Sequence, residues 1–239
     1  MMKIVRSGPD FSIQLASGGS LAIRQILGIG RNYAEHAKEQ GADVPDKPMV
    51  FTKSLSSLSL SGDPIVIPKV CQEKEQVDYE GELAVVIGKP CRDASKQQVA
   101  DPGSGIILGY CIANDVSARW WQKQGSGGQF YRGKSFDTFC PIGPHVVAAA
   151  EIPNPGALRL KTTLNGEVVQ DASTGDMIFP VFDLIADLSR DATLPAGTLI
   201  LTGTPSGVGM SRTPPRFLRS GDSVKIEIER IGEISNPVK

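Results

Sequence analysis

Apolar residues occur along most of the chain in short runs, which predicts a protein built mainly from β-strands. The clearest run, from Leu83 to Ile87, is strand-like. Asn165 and Gly166 lie between two further runs and are typical of a type I′ hairpin turn. The predicted strands cover residues 11–15, 21–23, 49–52, 83–87, 106–113, 139–147, 158–164, 167–170, 198–202 and 223–231.

Helices are predicted to be few and short. One is expected over residues 33–40, where Asn32 could be the N-cap, Glu35 lies at N3 and Gly41 could be C′. The other predictions outside the strands are helices at 117–124 and 181–188 and a serine-rich loop at 54–62.

Strands and helices do not alternate regularly, so a doubly wound parallel sheet is not expected. The pattern instead predicts a mixed, β-rich α+β fold. We expect residues 1–27 to form a short N-terminal β appendage and residues 28–239 to form the main domain.

Composition excludes several classes of protein. Hydrophobic residues make up 40% and charged residues 21% of the 239 residues, which allows a sizeable core and argues against disorder. The net charge is −1, so a nucleic-acid partner is not expected. No apolar stretch approaches the roughly 18 residues of a membrane span, and the N-terminus lacks the apolar segment of a signal peptide. We expect a cytoplasmic protein, or a mitochondrial matrix protein if the source is eukaryotic.

Cysteine and histidine usage narrows the candidate chemistry. The four cysteines form no C-x-x-C pair, which predicts buried free thiols in a reducing compartment. The two histidines, His36 and His145, are too few for a multi-histidine zinc site.

Two carboxylates one residue apart, Glu80 and Glu82, are the most informative feature of the chain. If a strand begins at Glu80, its period of two places both side chains on one face. A divalent cation such as Mg²⁺, Mn²⁺ or Ca²⁺ would offset their repulsion and suits hard oxygen ligands. The alternative is a solvent-facing strand edge. Asp115, near the end of the strand at 106–113, could be a third ligand or a helix N-cap.

Three further features allow more than one interpretation. His36 and Glu39 share a helix face and could supply a general base, or form an exposed pair without function. Lys134 could stabilise an oxyanion, or lie on the surface. The glycine-rich stretch 202–209 lacks the Gly-Lys ending of a phosphate-binding loop, but it could offer backbone N–H groups to a carboxylate. An ordinary turn is the alternative.

Taken in order, the motifs of this chain resemble those of the fumarylacetoacetate hydrolase superfamily. They extend from residue 28 nearly to the C-terminus, and the segment 119–144 most resembles the branch of the domain-containing protein 2 group and the 2-hydroxyhepta-2,4-diene-1,7-dioate isomerases. The matching stretches are Gly30-Arg31-Asn32-Tyr33-Ala34-Glu35-His36, Asp78-Tyr79-Glu80-Gly81-Glu82-Leu83-Ala84, Asn114-Asp115-Val116-Ser117-Ala118-Arg119, Gly133-Lys134-Ser135-Phe136-Asp137-Thr138-Phe139, Asn165-Gly166-Glu167-Val168-Val169-Gln170 and Leu201-Thr202-Gly203-Thr204-Pro205-Ser206-Gly207-Val208-Gly209.

This resemblance implies a β-sandwich roll, usually a homodimer, with one divalent metal in each subunit. By position, it implies Mg²⁺ or Mn²⁺ at Glu80, Glu82 and Asp115, with Ca²⁺ as the alternative in a crystal. It also implies an acid/base dyad of His36 and Glu39. The residues that it implies for the substrate are Lys134, which is also a catalytic candidate, and Arg119, Gln122, Thr204, Arg31 and Lys53.

The implied chemistry is the formation of a metal-bound enolate from a 2-oxo acid. Proton movement between the enol oxygen and the neighbouring carbon would make the enzyme a tautomerase or isomerase. Water attack on a second carbonyl would make it a C–C hydrolase of acylpyruvates or fumarylpyruvate, and loss of carbon dioxide would make it a decarboxylase. The segment 119–144 favours a tautomerase or isomerase of small dicarboxylic 2-oxo acids such as oxaloacetate. A metal-stabilised paralogue without catalysis is the non-enzyme alternative.

Overall fold

A computed structural model describes residues 1–39, 41 and 43–239 of the chain. Within these residues there are sixteen β-strands and five short α-helices. The strands are β1 (Met2–Ser7), β2 (Asp10–Gln14), β3 (Ser20–Ala22), β4 (Gln25–Gly30), β5 (Met49–Lys53), β6 (Leu58–Leu60), β7 (Val77–Asp78), β8 (Gly81–Ile87), β9 (Ile107–Asn114), β10 (Ser117–Ala118), β11 (Cys140–Ala148), β12 (Arg159–Leu164), β13 (Glu167–Ser173), β14 (Thr198–Leu201), β15 (Ser223–Ile228) and β16 (Gly232–Pro237). The helices are α1 (Ala34–Glu39), α2 (Lys96–Ala100), α3 (Arg119–Gln122), α4 (Tyr131–Lys134) and α5 (Val181–Leu188).

Most strands belong to one ten-stranded sheet. Its order is β3-β2-β1-β11-β9-β8-β14-β4-β5, and β6 pairs with β11 beside this path. The central strand β8 is antiparallel to both β9 and β14, whereas β14 is parallel to β4. A second, antiparallel sheet has the order β13-β12-β15-β16, and β7 pairs with β10. This sheet-dominated architecture confirms the predicted mixed α+β class.

The ten-stranded sheet is curled, as the packing of β8 shows. Leu83, Val85 and Ile87 pack in a core that also contains residues of the four-stranded sheet and of α5. Ala84 and Val86 face a second core, whose members come from the ten-stranded sheet and the residues directly beside its strands. A sheet can bury one face against itself only if it curls. The strand β8 is therefore buried on both faces, which explains its unbroken apolar run.

The predicted strands are all present, with ends that differ by three residues or fewer. The loop prediction for 54–62 is wrong, because Leu58–Leu60 forms β6 and pairs with β11 through the backbone. The prediction of one strand over 223–231 is too long. The chain turns at Arg230, which has a φ of 63°, and β16 follows as a separate strand.

Two of the helix predictions need correction. Helix α1 covers Ala34–Glu39, and Gln40 lies outside the described residues. Asn32 does not cap this helix, because its Oδ1 accepts from Phe179 N at 2.7 Å and its Nδ2 donates to Thr202 O at 2.7 Å. The helix predicted at 117–124 is reduced to α3, since Ser117–Ala118 pairs with β7 instead. Helix α5 has the predicted limits.

Three smaller predictions can also be compared with the structure. Asn165 and Gly166 have φ values of 52° and 86°, as a type I′ turn requires, so the hairpin prediction is confirmed. The four cysteines are buried and free, as predicted. The strands β1 to β3 extend the ten-stranded sheet through the pairing of β1 with β11, and the domain limit at residue 28 stays a prediction. Among the described helices, none has the length and apolar character that crossing a membrane would require.

Candidate active site and metal centre

A cavity of about 300 Å³ lies beside the start of β8, the end of β4 and the helices α3 and α4. It contains most of the polar side chains that the sequence predicts for a site, together with two aromatic rings. The lining residues are Ile29, Gly30, Arg31, His36, Phe51, Glu80, Gln122, Lys123, Phe130, Lys134 and Thr204.

The pairing of β8 with β9 brings the three predicted metal ligands together. Because the strands are antiparallel, the start of β8 lies beside the end of β9, with Gly81 opposite Asn114. Glu80 directly precedes β8, and Asp115 directly follows β9. Their backbones are joined where Asp115 N donates to Glu80 O at 2.8 Å. The alternative role of Asp115 as a helix N-cap is not observed, since α3 begins at Arg119 with Ala118 as its N-cap.

The carboxylates of Glu80, Glu82 and Asp115 fit a hard divalent cation. One oxygen from each lies within 4.8 Å of the others, and all three residues are 5% exposed or less. Burial, with the charges of Asp115 and Glu80, holds the pKa of Glu82 well above its usual value. A cation bound among the three oxygens would relieve that repulsion, and three carboxylates are the ligand type that Mg²⁺ and Mn²⁺ prefer.

Three buried basic side chains are paired with two of these carboxylates. Lys134 Nζ lies 2.6 Å from Glu80 Oε2 and 2.5 Å from Asp115 Oδ2. Lys53 Nζ lies 2.6 Å from Asp115 Oδ1, and Arg119 Nη1 lies 2.6 Å from Glu80 Oε1. Burial would raise the pKa of Glu80, but the charges of Lys134 and Arg119 outweigh it and hold that pKa well below its usual value. The surface alternative for Lys134 is wrong, because this residue is 1% exposed.

Asp78 is a site residue that the sequence analysis missed. It is fully buried and binds Arg119, with Nε at 2.9 Å and Nη2 at 2.7 Å from Oδ2. It also accepts hydrogen bonds from Gly209 N and Met210 N. Asp78 thereby fixes the guanidinium that pairs with Glu80. The alternation of Asp78, Glu80 and Glu82 along the sequence was the signal that could have identified it.

The structure brings His36 and Glu39 together on α1. His36 Nδ1 lies 2.6 Å from Glu39 Oε1, and Glu39 Oε2 accepts from Gly207 N at 3.0 Å. The His36 side chain is 5% exposed and that of Glu39 is 20% exposed. His36 lines the cavity, where a histidine oriented by a carboxylate can exchange protons with a ligand.

The glycine-rich stretch 202–209 donates backbone N–H groups to carboxylates of the site. Gly203 N donates to Glu82 Oε2 at 2.6 Å, and the N–H groups of Gly207 and Gly209 go to Glu39 and Asp78 as described above. Gly207 has a φ of 101°, and a Cβ there would lie 2.0 Å from Val169 O. Only glycine fits this position. Of the two interpretations of this stretch, carboxylate binding is the one observed, and the carboxylates belong to the protein itself.

Two of the residues predicted to bind substrate, Thr204 and Gln122, line the cavity but make hydrogen bonds within the protein. Thr204 lines the cavity, but its hydroxyl donates to Gly81 O at 3.0 Å and accepts from Gln170 Nε2 at 2.8 Å. Gln122 also lines the cavity, and its Oε1 accepts from Arg119 Nη1 at 3.1 Å. Gln170, for which the sequence predicts no role, also accepts from Gly81 N at 3.0 Å. Its partners lie on two distant segments, at Gly81 and at Thr204–Pro205, so no local pattern marks it.

Lys53 and Arg31 complete the predicted set. Lys53 is 4% exposed and contacts Asp115 rather than the cavity surface. Arg31 lines the cavity directly after the end of β4. The predicted metal ligands and the predicted substrate-binding residues therefore lie in one region of the structure. Within it, Arg31 lines the cavity, whereas Lys53 contacts Asp115 away from the cavity surface.

Comparisons with known proteins show which family the sequence and the fold match. Residues 25–239 match the family described as Fumarylacetoacetate (FAA) hydrolase C-terminal. Oxaloacetate tautomerase YisK of Bacillus subtilis is 48% identical over 90% of this chain and 69% of its own length. Mitochondrial oxaloacetate tautomerase fahd2 of Xenopus laevis is 45% identical over 90% of this chain and 65% of its own length. The chain thus spans about two thirds of the length of these curated relatives.

A solved structure gives the same fold over nearly the whole chain. It is the 5-carboxymethyl-2-hydroxymuconate delta-isomerase from Mycobacterium smegmatis, which is 36% identical, with a TM-score of 0.78. The match covers 99% of this chain and 92% of that one.

Proposed function

This chain belongs to the fumarylacetoacetate hydrolase family, and we propose that it is an enzyme that tautomerises small dicarboxylic 2-oxo acids, with oxaloacetate as the favoured substrate. One structural observation carries the proposal. Glu80 of a carboxylate triad suited to a divalent metal, His36 of a His–Glu pair and the basic side chain of Lys134 line one cavity. The names of the two tautomerase relatives support tautomerisation over the alternatives of C–C hydrolysis and decarboxylation.

The charges of the site suit an anionic ligand. Four buried carboxylates, those of Asp78, Glu80, Glu82 and Asp115, face three buried basic groups, those of Lys53, Arg119 and Lys134. A divalent cation would change this excess of one negative charge into an excess of one positive charge. A substrate with two carboxylates is then attracted to the site, and an uncharged ligand is not.

When bound at the triad, a divalent metal would act as a Lewis acid that polarises the 2-oxo group of the substrate. Lys134, which lines the cavity, would donate a hydrogen bond to the oxygen that becomes negative. Arg119 and Asp78 would hold Glu80 in place. His36 would take a proton from C3 of the substrate and return it to the C2 oxygen, or the reverse. Glu39, which lies against Nδ1, would orient the ring and stabilise the transient imidazolium.

The finer points of the proposal rest on general chemistry. We assign Mg²⁺ or Mn²⁺, because carboxylate ligands favour these ions. We also propose a homodimer, because β5 ends the sheet order and leaves Met49 and Val50 37% and 44% exposed on an edge strand. A cytoplasmic or mitochondrial location stays a prediction.

Proton NMR in heavy water tests the function. We expect the protein with Mg²⁺ or Mn²⁺ to accelerate keto–enol interconversion of oxaloacetate with the carbon skeleton intact, and EDTA to abolish the acceleration. Acetate and pyruvate formed from acetylpyruvate would instead identify a hydrolase, and pyruvate formed from oxaloacetate a decarboxylase. No change in either compound would contradict the proposal.

A further inference from the structure

Two basic side chains at the cavity, those of Arg31 and Lys123, differ from the other basic groups of the site. Lys53, Arg119 and Lys134 each contact a carboxylate within 2.7 Å. Arg31 and Lys123 line the same cavity, yet within the described part of the chain neither side chain makes a hydrogen bond or an ion pair. The cavity therefore has two positively charged side chains that are in direct contact with no carboxylate of the described residues.

The charge of Arg31 also acts on Lys123, which lines the same cavity. Lys123 is half-buried, and its pKa is lowered by burial first and then by the charges of Arg119 and Arg31. Like charges brought together at a partly buried surface are unfavourable unless an anion is bound between them. A solvated surface pair would separate into water, whereas these two residues converge on one cavity.

The backbone at Arg31 gives independent support. Arg31 has a φ of 54°, which is uncommon for an arginine and costs of order 1 kcal/mol. The next residue, Asn32, holds this conformation through its bonds to Phe179 and Thr202. The unfavourable backbone conformation at Arg31 is therefore found at a residue whose side chain lines the cavity.

We propose that Arg31 and Lys123 form a subsite for the distal carboxylate of a dicarboxylic 2-oxo acid, and that they determine the preference for diacids over monoacids. This inference rests on the proposed function, in which the 2-oxo carboxylate end of the substrate lies at the metal triad. Lys134 and the triad would recognise the end that reacts, and Arg31 and Lys123 would recognise the end that does not react.

The test compares two acids of equal length. Oxaloacetate and 2-oxobutyrate both have four carbons, but 2-oxobutyrate has a methyl group in place of the distal carboxylate. Isothermal titration calorimetry with the Mg²⁺-loaded protein would measure the affinity for both acids in the wild type, in Lys123→Met and in Arg31→Gln. We expect each variant to lose about tenfold in affinity for oxaloacetate, as for one charged hydrogen bond in a partly exposed site, and to bind 2-oxobutyrate unchanged.

Kinetics and matched variants give further controls. The KM for oxaloacetate should rise with little change in kcat, because a group that binds ground state and transition state equally affects KM alone. Lys123→Arg and Arg31→Lys should restore most of the affinity. Lys3→Met, which removes an exposed lysine of β1 outside the cavity, should change nothing. Thermal unfolding would verify that each variant is folded.

The possible failures of the two proposals are distinguishable. Equal losses for both acids, or no loss for oxaloacetate, would overturn the subsite, whether or not the protein is a tautomerase. Selective loss of oxaloacetate binding in a protein that does not interconvert keto and enol forms would keep the subsite and reject the reaction.

Discussion

Replacement of Lys134 by methionine should destabilise the protein when metal is removed, and added metal should reverse much of the loss. The variant keeps a side chain of similar length but leaves Glu80 Oε2 and Asp115 Oδ2 without the ammonium that lies 2.6 and 2.5 Å away. Both carboxylates are 5% exposed or less, so the substitution leaves two largely buried negative charges each short of one partner.

The expected magnitude follows from the burial of these groups. Removing one partner of a buried ion pair costs about 3–5 kcal/mol. Lys53 and Arg119 still hold the other oxygens of the two carboxylates, so we expect the lower end, about 3 kcal/mol. In a chain of this size, that corresponds to a decrease in Tm of roughly 6–12 °C.

Differential scanning calorimetry in EDTA, and then in rising Mg²⁺ or Mn²⁺, would measure the effect. A divalent cation among the three carboxylates supplies the missing positive charge, so the variant should bind metal more tightly than the wild type. Each tenfold gain in affinity would reverse about 1.4 kcal/mol of the loss at saturating metal. Lys225→Met is the matched control, because Lys225 is 38% exposed and pairs with surface carboxylates. It should lose about 1 kcal/mol or less. Equal losses for Lys134→Met with and without metal, or no loss in EDTA, would refute this reasoning.

Three further predictions concern single side chains. Glu82→Gln should abolish divalent-metal binding in calorimetric titrations, and turnover should be lost with it. The fold should tolerate the neutral amide, because burial already raises the pKa of this carboxyl. Metal affinity equal to that of the wild type would remove Glu82 from the ligand set. His36→Gln should keep metal affinity but lower kcat by about 10²–10⁴, and unchanged turnover would exclude the dyad. Burial acts to raise the pKa of Asp222, but its bonds to Arg216, Asn165 and Arg219 N outweigh this and lower it. Its carboxylate therefore stabilises the fold above the unfolded pKa of about 3.9 and loses that effect as the pH falls through the folded pKa. Asp222→Asn should cost about 1–3 kcal/mol at pH 7 and progressively less below pH 4 in urea unfolding; a cost independent of pH would contradict this account.

The sequence could predict the features that depend on neighbouring residues. The apolar runs identified the central strands, and the Asn165-Gly166 pair identified its hairpin, because both signals lie within a few residues. The grouping of Glu80, Glu82 and Asp115 required only that two strands pair near their ends. The resemblance of the motifs to a family then supplied their order and their expected roles.

Other features depend on contacts between distant segments, and the sequence could not show them. Asn32 has the residue type of an N-cap, yet a better set of partners exists on two remote loops. Gln170 bonds to Gly81, Thr204 and Pro205, which no periodicity connects. Strand β6 was missed because it has only three residues, Leu58–Leu60, and lies within a serine-rich stretch, where so short an alternation gives no clear signal.

The stretch 202–209 explains how so many buried charges can share one site. It donates to Glu82 through Gly203 N and to Glu39 through Gly207 N, at 2.6 and 3.0 Å. Its packing against Asn32 is so close that a Cβ on Gly203 would lie 2.7 Å from the Cβ of that residue. The separation between the proposed metal ligands and the proposed proton-transfer pair is therefore set by a few residues of backbone, and not by flexible side chains. One carboxylate of the proposed metal site and one carboxylate of the proposed proton-transfer pair thus accept from amides of the same loop, so a change in the loop backbone would disturb both.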